Sequence, residues 1–394
     1  MNREPRRRPR VGIAHVRLGW GGSEKRVMWG IEALKEKYDV TLLTAGSFDL
    51  ASFNRYYGTN LAASDFAVRQ APLPAFLRRR NDMAALRGAV FQRFCRRVAM
   101  EYDLVISAYG PTDFGRPGIH FIADFSWCDR IRESLHPYPP GTIYRKGVWR
   151  AAYLGAARRI ARPSGRDLFS GEDTIVAVSP WVARVMGEEF GVECRILESP
   201  VHAEVPVDSN VVKRSGFVCL GRIAPEKRIE RIVEIVGLVR DLGHDVTLHI
   251  IGECEHSRYA EEIDRLCARK GDWVVREGRL AGVEKARVLA ENAFGLHACE
   301  GDAFPGAVVE MMKAGCITWV HNSGGQVDIV NHSGLAYANV EEAVKKIGRV
   351  LKDQAYRAEL MAHVQEEARR FSVEAFMEGF RSLVAEGLDR MQVH

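Results

Sequence analysis

At 394 residues, 46% apolar and 27% charged, the chain has the composition of a soluble globular protein and is too long for one ordinary core, so two α/β domains of similar size are expected. No apolar run can span a bilayer, the basic opening MNREPRRRPR lacks the apolar stretch of a signal peptide, and the eight cysteines are scattered with no CxxC pair. A membrane-spanning chain, a disulfide frame and a structural zinc site are therefore not expected, and the sequence reads as cytoplasmic with buried thiols. The formal charge of +5 is uneven: +4 lies in the first ten residues and +9 in residues 74–162, which leaves −8 elsewhere. That asymmetry fits an anionic surface met by the first half, or only a solvated basic face behind a disordered tail at residues 1–9.

In chain order, apolar runs predict strands at 10–16, 39–45, 103–109, 118–123 and 173–179, with an amphipathic stretch to residue 37 and helix-like segments between the later runs. Residues 48–80 are irregular and read as loops and short elements. The second half repeats the pattern, with strands at 215–221, 246–252, 273–278, 293–298 and 316–322. A helix carries Ile229, Ile232, Val233 and Val236 on one face, and another lies around 259–268. Continuous apolar strands alternating with helices imply a parallel sheet covered on both faces. Residues 201–215 have little periodicity and serve as a linker between domains at 10–200 and 216–372. Residues 340–390 are helical with no further strand, and 373–394 form a last helix that could cross back to the first domain. The fold class is α/β: two doubly wound, Rossmann-like domains facing across a cleft lined by the C-terminal ends of their strands.

Three stretches carry chemistry. Gly21 and Gly22 lie in the turn GWGGSE between a strand and a helix, where glycines let amides approach an anion and the helix start favours negative charge; a tight connection is the alternative. Gly221-Arg222-Ile223-Ala224-Pro225-Glu226-Lys227 again leaves a strand for a helix, and Arg222 and Lys227 could neutralise a diphosphate, or simply pair with Glu226 and Glu230. Finally, Asp302 in a loop and Glu310 in the following helix could serve a sugar and the vicinal hydroxyls of a ribose, with the Phe304-Pro305-Gly306 turn offering amides at the helix start. An isolated acid pair would be only a solvated surface; its setting here favours a site.

Taken together, GGSEKRVM, VAVSPWVARVM with Ser199-Pro200-Val201, GRIAPEK and the Asp302…Glu310 segment resemble, in order and spacing, the motifs of family 4 glycosyltransferases. The likeness covers nearly the whole chain. Within that family, GLHACEGDAFPGAVVE followed by HNSGGQVDIV is most similar to the α-1,2-mannosyltransferases that extend dolichol-linked oligosaccharide. The resemblance implies the GT-B fold and a retaining transfer from a nucleotide diphosphate sugar, GDP-mannose as the first choice and a UDP-sugar as the other, onto a lipid-linked or polysaccharide acceptor. It implies that Arg222 and Lys227 hold the diphosphate, that Gly21 and Gly22 pack beside phosphates and sugar, that Glu310 binds ribose, and that the turn at Phe304, Pro305 and Gly306 binds sugar hydroxyls. No metal or cofactor is expected, because the two cations take its place.

Two departures stand out. The first acid of the acidic signature is Asp302, and the glycine after Phe304 is Pro305, which removes an amide donor; Glu300 could substitute for Asp302 only if the loop shifted register. A histidine that many members carry after the fourth strand aligns with Ala123, flanked by His120 and Asp124. Its catalytic role has passed to Asp124 or lapsed; His120 is the other catalytic candidate, with an interior strand residue as the alternative reading. The basic, aromatic segments 74–100 and 144–162 suit an anionic membrane surface, which would make the protein peripheral on the inner face of the membrane; no nucleic-acid module is present. Transfer to a soluble small molecule, and a sugar-nucleotide-binding relative without activity, are the alternatives.

Overall fold

The computed structural model describes residues 7–79, 83–135, 148–202, 213–253 and 258–393. Most of the expected tail and linker, Cys254, and parts of both basic segments lie outside these. The chain divides into two compact units, residues 1–200 with 373–394, and residues 201–372.

The first unit holds a parallel sheet of seven strands: β1 (Arg10–Ala14), β2 (Asp39–Thr44), β3 (Ala67–Gln70), β4 (Leu104–Ser107), β5 (Ile119–Ile122), β6 (Thr174–Ala177) and β7 (Arg195–Ile196), in spatial order β3-β2-β1-β4-β5-β6-β7. β4 and β5 are buried at every position, as their unbroken apolar runs require. The helix Val373–Val393 belongs to this unit: Phe380 stacks on Phe121 of β5 at 5.7 Å, and Arg381 Nε donates to the Ala33 carbonyl at 2.8 Å.

The second unit has a parallel sheet of six strands: β8 (Arg214–Leu220), β9 (Thr247–Ile251), β10 (Val274–Gly278), β11 (Asn292–His297), β12 (Ile317–His321) and β13 (Ala336–Tyr337), in order β10-β9-β8-β11-β12-β13. Its core is centred on the rings of Phe217, Phe294 and Trp319, with centroids 5.0–6.2 Å apart and all fully buried; each ring contributes about 2–3 kcal/mol by leaving water. The expected face of Ile229, Ile232, Val233 and Val236 on the helix Ile229–Asp241 is buried.

In each sheet the winding reverses beside the first strand, between β1 and β4 in one and between β8 and β11 in the other. There the connections leave to opposite faces and open a crevice at the strands' C-terminal ends. The loops after β1, β8 and β11 carry the three chemical motifs.

Residues 48–80 are more regular than their sequence suggests. Asp49 caps a helix, Leu50–Tyr57, by accepting from the amides of Ala51 and Ser52, and Gly58 ends it in the left-handed conformation. β3 and the short helix Ala75–Arg79 follow. No disulfide forms among the described residues; Cys95, Cys219, Cys267, Cys299 and Cys316 are buried free thiols, and no described helix is long and apolar enough to cross a membrane.

Candidate active site

In the second unit, Gly221 follows β8 and Gly252 follows β9, and the two turns touch. A Cβ on Gly252, at φ +154°, would sit 1.8 Å from the Gly221 carbonyl oxygen, so the close approach requires glycine. The chain then passes Arg222 and closes a short 3₁₀ turn, Pro225–Lys227. This turn sends the Lys227 ammonium to 2.7 Å from Asp302 Oδ2, in the loop after β11. Both side chains are about one-fifth exposed, at 21% and 19%. Burial opposes ionisation of Asp302, but the Lys227 charge, with His297 nearby, outweighs it and holds the carboxyl well below the usual range. Burial works against the ammonium in turn, and Asp302 holds its pKa above the usual lysine value.

The Asp302 loop is itself clasped by the loop after β12. The Gly325 amide donates to the Asp302 carbonyl at 2.8 Å, and the Gly301 amide to Ser323 Oγ at 3.1 Å. Gly324, at φ +74°, lies so close that a Cβ would come within 2.6 Å of the Asp302 carbonyl oxygen. Fully buried Gln326 adds bonds from Nε2 to the carbonyls of Cys299 and His321. The register of the loop is thereby fixed: Glu300 faces Arg231 at 2.7 Å, and Asp302 is the acid delivered to Lys227.

After Phe304, whose ring meets Phe371 at 5.7 Å, the helix Gly306–Lys313 begins at Pro305 with no side-chain cap on its first amides. Glu310 lies within this helix and is bonded to Lys285 Nζ at 2.8 Å. Arg222 is largely exposed and bonded to Glu226 at 2.9 Å. The sequence missed His297, the last residue of β11. Its Nε2 is buried, has no hydrogen-bond partner and lies 3.7 Å from Asp302 Oδ2. Burial lowers the pKa of this ring, with Asp302 pulling it up and Lys227 pushing it down. His297, Cys299 and Asp302 could offer ligand atoms within 4.8 Å of one another. The Lys227 ammonium already supplies the positive charge there, and burial pushes the Cys299 thiol up to about 12, so no metal role is assigned to them.

In the first unit, Gly21 caps and Gly22 opens the helix Gly22–Leu34, again with no side-chain cap. The Gly21 amide donates to the Tyr57 hydroxyl at 3.0 Å, so one of the two expected anion contacts is occupied in this structure. Glu24 folds back to accept from the Gly19 amide at 3.0 Å and from Ser23 Oγ at 2.8 Å, and Ser23 Oγ also meets His15 Nε2 at 3.0 Å. Arg26 carries no role in the motif reading, yet its guanidinium is buried, donates to the Ala108 carbonyl at 2.6 Å and to Ser199 Oγ at 2.9 Å, and lies over the Phe121 ring. Burial pulls its pKa down to about 10.

Asp124 accepts from the Tyr109 hydroxyl at 2.6 Å and from the Ser126 amide at 2.9 Å, so its carboxylate organises its own loop and remains partly accessible. The candidacy of His120 for chemistry is corrected. The ring is fully buried within β5, stacked on Phe114, with Nε2 3.0 Å from Asp173, and it is placed to hold the core, not a substrate.

Comparison with known proteins agrees with these motifs. Residues 21–197 match the family model of the glycosyl transferase 4-like domain, and residues 214–353 match that of glycosyl transferases group 1. The chain is similar to the mouse (Mus musculus) GDP-Man:Man(3)GlcNAc(2)-PP-Dol α-1,2-mannosyltransferase, at 28% identity over 145 residues. That stretch is 34% of this chain and spans only 28% of the relative's length. Among solved structures, sucrose-phosphate synthase from Thermosynechococcus elongatus superposes with a TM-score of 0.71 at 14% identity, covering 96% of this chain and 99% of that one. Anabaena HepE in complex with UDP-glucose gives 0.67 at 13% identity, covering 96% and 100%. WaaG, a glycosyltransferase involved in lipopolysaccharide biosynthesis, gives 0.66 at 13%, covering 94% and 98%. With both units matched by family models and the architecture shared with these structures, the chain belongs to the family 4-like glycosyltransferases of the GT-B fold.

Proposed function

We propose that the protein transfers a hexose, with retention of configuration, from a nucleoside diphosphate sugar to a lipid-linked or polysaccharide acceptor. The observation that carries this reading is the Lys227–Asp302 pair at the switch point of the second sheet. It sets an ammonium against a carboxylate that lies four residues before a helix whose first amides lack a side-chain cap. Lys227 and Arg222 would take the charge that builds on the leaving diphosphate, and the amides at Pro305–Gly306 would meet sugar hydroxyls or phosphate oxygens. Glu310 would accept from the ribose hydroxyls. Asp302 would face the sugar once Lys227 turns to phosphate. In the first unit, the Gly21–Gly22 helix start is the candidate anion contact.

In the transfer step the bond from the anomeric carbon to the diphosphate oxygen breaks, and the bond to the acceptor oxygen forms on the same face. The acceptor's proton passes to the departing phosphate oxygen. The two cations stabilise that oxygen in the role a metal ion serves elsewhere, so the reaction is expected to survive chelator. GDP-mannose is the favoured donor because the mouse relative carries that donor in its name, and a UDP-sugar is the second choice because HepE was captured with UDP-glucose.

An acceptor at a membrane is supported by the helix Val148–Ala161. It exposes Trp149 (89%) and Val148 (83%), and Arg158 and Arg159 lie in its last turn. The direct test is the anomeric configuration of the product formed from α-linked GDP-mannose or UDP-glucose. An α-glycoside supports the proposal, and a β-glycoside contradicts retention.

A further inference from the structure

In the structure the Asp302 carboxylate takes its charge-assisted bond from Lys227, while His297 Nε2, on a residue only 4% exposed, has no bond at all. A buried ring nitrogen without a partner is costly, and such atoms are rare in folded proteins. At 3.7 Å from Oδ2 the contact is too long for a hydrogen bond, and less than an ångström of movement would make it one. Tyr337, on β13, donates its hydroxyl to the His297 carbonyl at 3.2 Å and so fixes the backbone behind the ring. Lys227 from the turn after β8 and Asp302 and Cys299 from its own loop are the groups beside the ring, Tyr337 from β13 meets only its backbone carbonyl, and Glu226 and Glu300 act on the neighbouring Cys299. Burial raises the Cys299 thiol and the Tyr337 hydroxyl, leaving both neutral, so Lys227 and Asp302 are the charges next to the ring.

We propose that His297 is a positioning residue that takes over Asp302: when a donor diphosphate draws Lys227 away, His297 binds a proton from solvent and hydrogen-bonds the released carboxylate, so donor binding is coupled to proton uptake. The proposal rests on the donor-site reading above. Before binding, the ammonium and carboxylate largely cancel and burial keeps the ring neutral. Afterwards the ammonium is shared with two phosphates, and the carboxylate faces the ring alone. Both changes favour the charged imidazolium. Asp302 then stays ionised and aimed at the sugar instead of following Lys227.

The test is titration calorimetry of the full-length protein with GDP-mannose and UDP-glucose, whose diphosphates have no group titrating near neutrality, in two buffers of different ionisation enthalpy. The expected result is a buffer-dependent heat equal to uptake of a fraction of a proton at pH 7. Affinity should fall as pH rises, by no more than tenfold per pH unit for one proton. His297→Gln and Asp302→Asn should bind donor with heats that no longer depend on buffer. Buffer-independent heats in the wild-type protein overturn the proposal whether or not a variant folds, and so does uptake retained in His297→Gln. Failure of the wild-type protein to bind either donor overturns the donor-site reading itself, and this proposal with it.

Discussion

The Lys227 ammonium and the Asp302 carboxylate, 75 residues apart in sequence, meet at 2.7 Å across the two loops that flank the switch point of the second sheet. The pair holds in place the ammonium proposed to bind the diphosphate. On that reading the donor has a competitor, because the carboxylate has to be displaced from Lys227. Asp302→Asn should therefore bind a nucleoside diphosphate at least as tightly as the wild-type protein while transferring sugar at least tenfold more slowly. Binding and initial-rate measurements on one preparation check this, and parallel losses in both would contradict it.

The same pair predicts a pH dependence of stability. The folded Asp302 pKa lies below its unfolded value, near 3.9, so the stabilisation is fully present above that value and is lost as pH falls toward the folded pKa. Asp302→Asn should lower the melting temperature at pH 7 by removing about 3 kcal/mol. The gap between variant and wild type should narrow below about pH 4. Melting curves between pH 7 and 3 check this; a gap that widens in acid would contradict it.

Arg26 ties the helix Gly22–Leu34 to the ends of the sheet through Ala108, Phe121 and Ser199. Arg26→Ala leaves two buried acceptors without a donor and empties the space over Phe121, a loss of about 3 kcal/mol. Calorimetry should show the transition of the first unit falling by roughly 6–12 °C. The transition of the second unit should stay where it is, because none of the Arg26 contacts named here lies in it.

Glu310 is proposed to bind ribose. Glu310→Gln should weaken donor binding by about 10–100-fold, the worth of a hydrogen bond to a charged acceptor. A donor lacking both ribose hydroxyls should bind the wild-type protein as poorly as the variant binds normal donor, and removing both partners should cost no more than removing one.

Much of this arrangement was legible in the sequence. Strands such as β4 and β5 are buried along their whole length, so their apolar runs are unbroken. β3, β7 and β13 were missed because they are edge strands of two to four residues, and β3 and β7 are mostly exposed, with no apolar pattern to read. The helix Leu50–Tyr57 buries only Phe53 and Tyr57; Asp49 and Gly58 announced its ends, but eight residues show too little periodicity between them. Arg222, Lys227, Asp302 and Glu310 could be named because each sits in a short motif. That Lys227 chooses Asp302, that Arg231 removes Glu300 from contention, and that His297 lies unpaired behind them are consequences of loops brought together by folding.

Membrane docking predicts that the protein floats with vesicles containing anionic lipid and not with neutral ones, and that about 1 M salt, which shortens the screening length to about 3 Å, releases it. Trp149→Ala should reduce the bound fraction. No flotation at low salt would sink the membrane reading and leave a soluble acceptor.

The central claim is that the cations after β8 hold a donor diphosphate, and thermal melting against GDP-, UDP- and ADP-sugars tests it most directly. A matching donor at about 100 times its dissociation constant should stabilise the wild-type protein by about 2.7 kcal/mol. Arg222→Glu and Lys227→Glu should abolish the rise in melting temperature, with Lys227→Gln as the variant that avoids setting two carboxylates together. A wild-type-sized rise retained in the Arg222 and Lys227 variants would contradict the account.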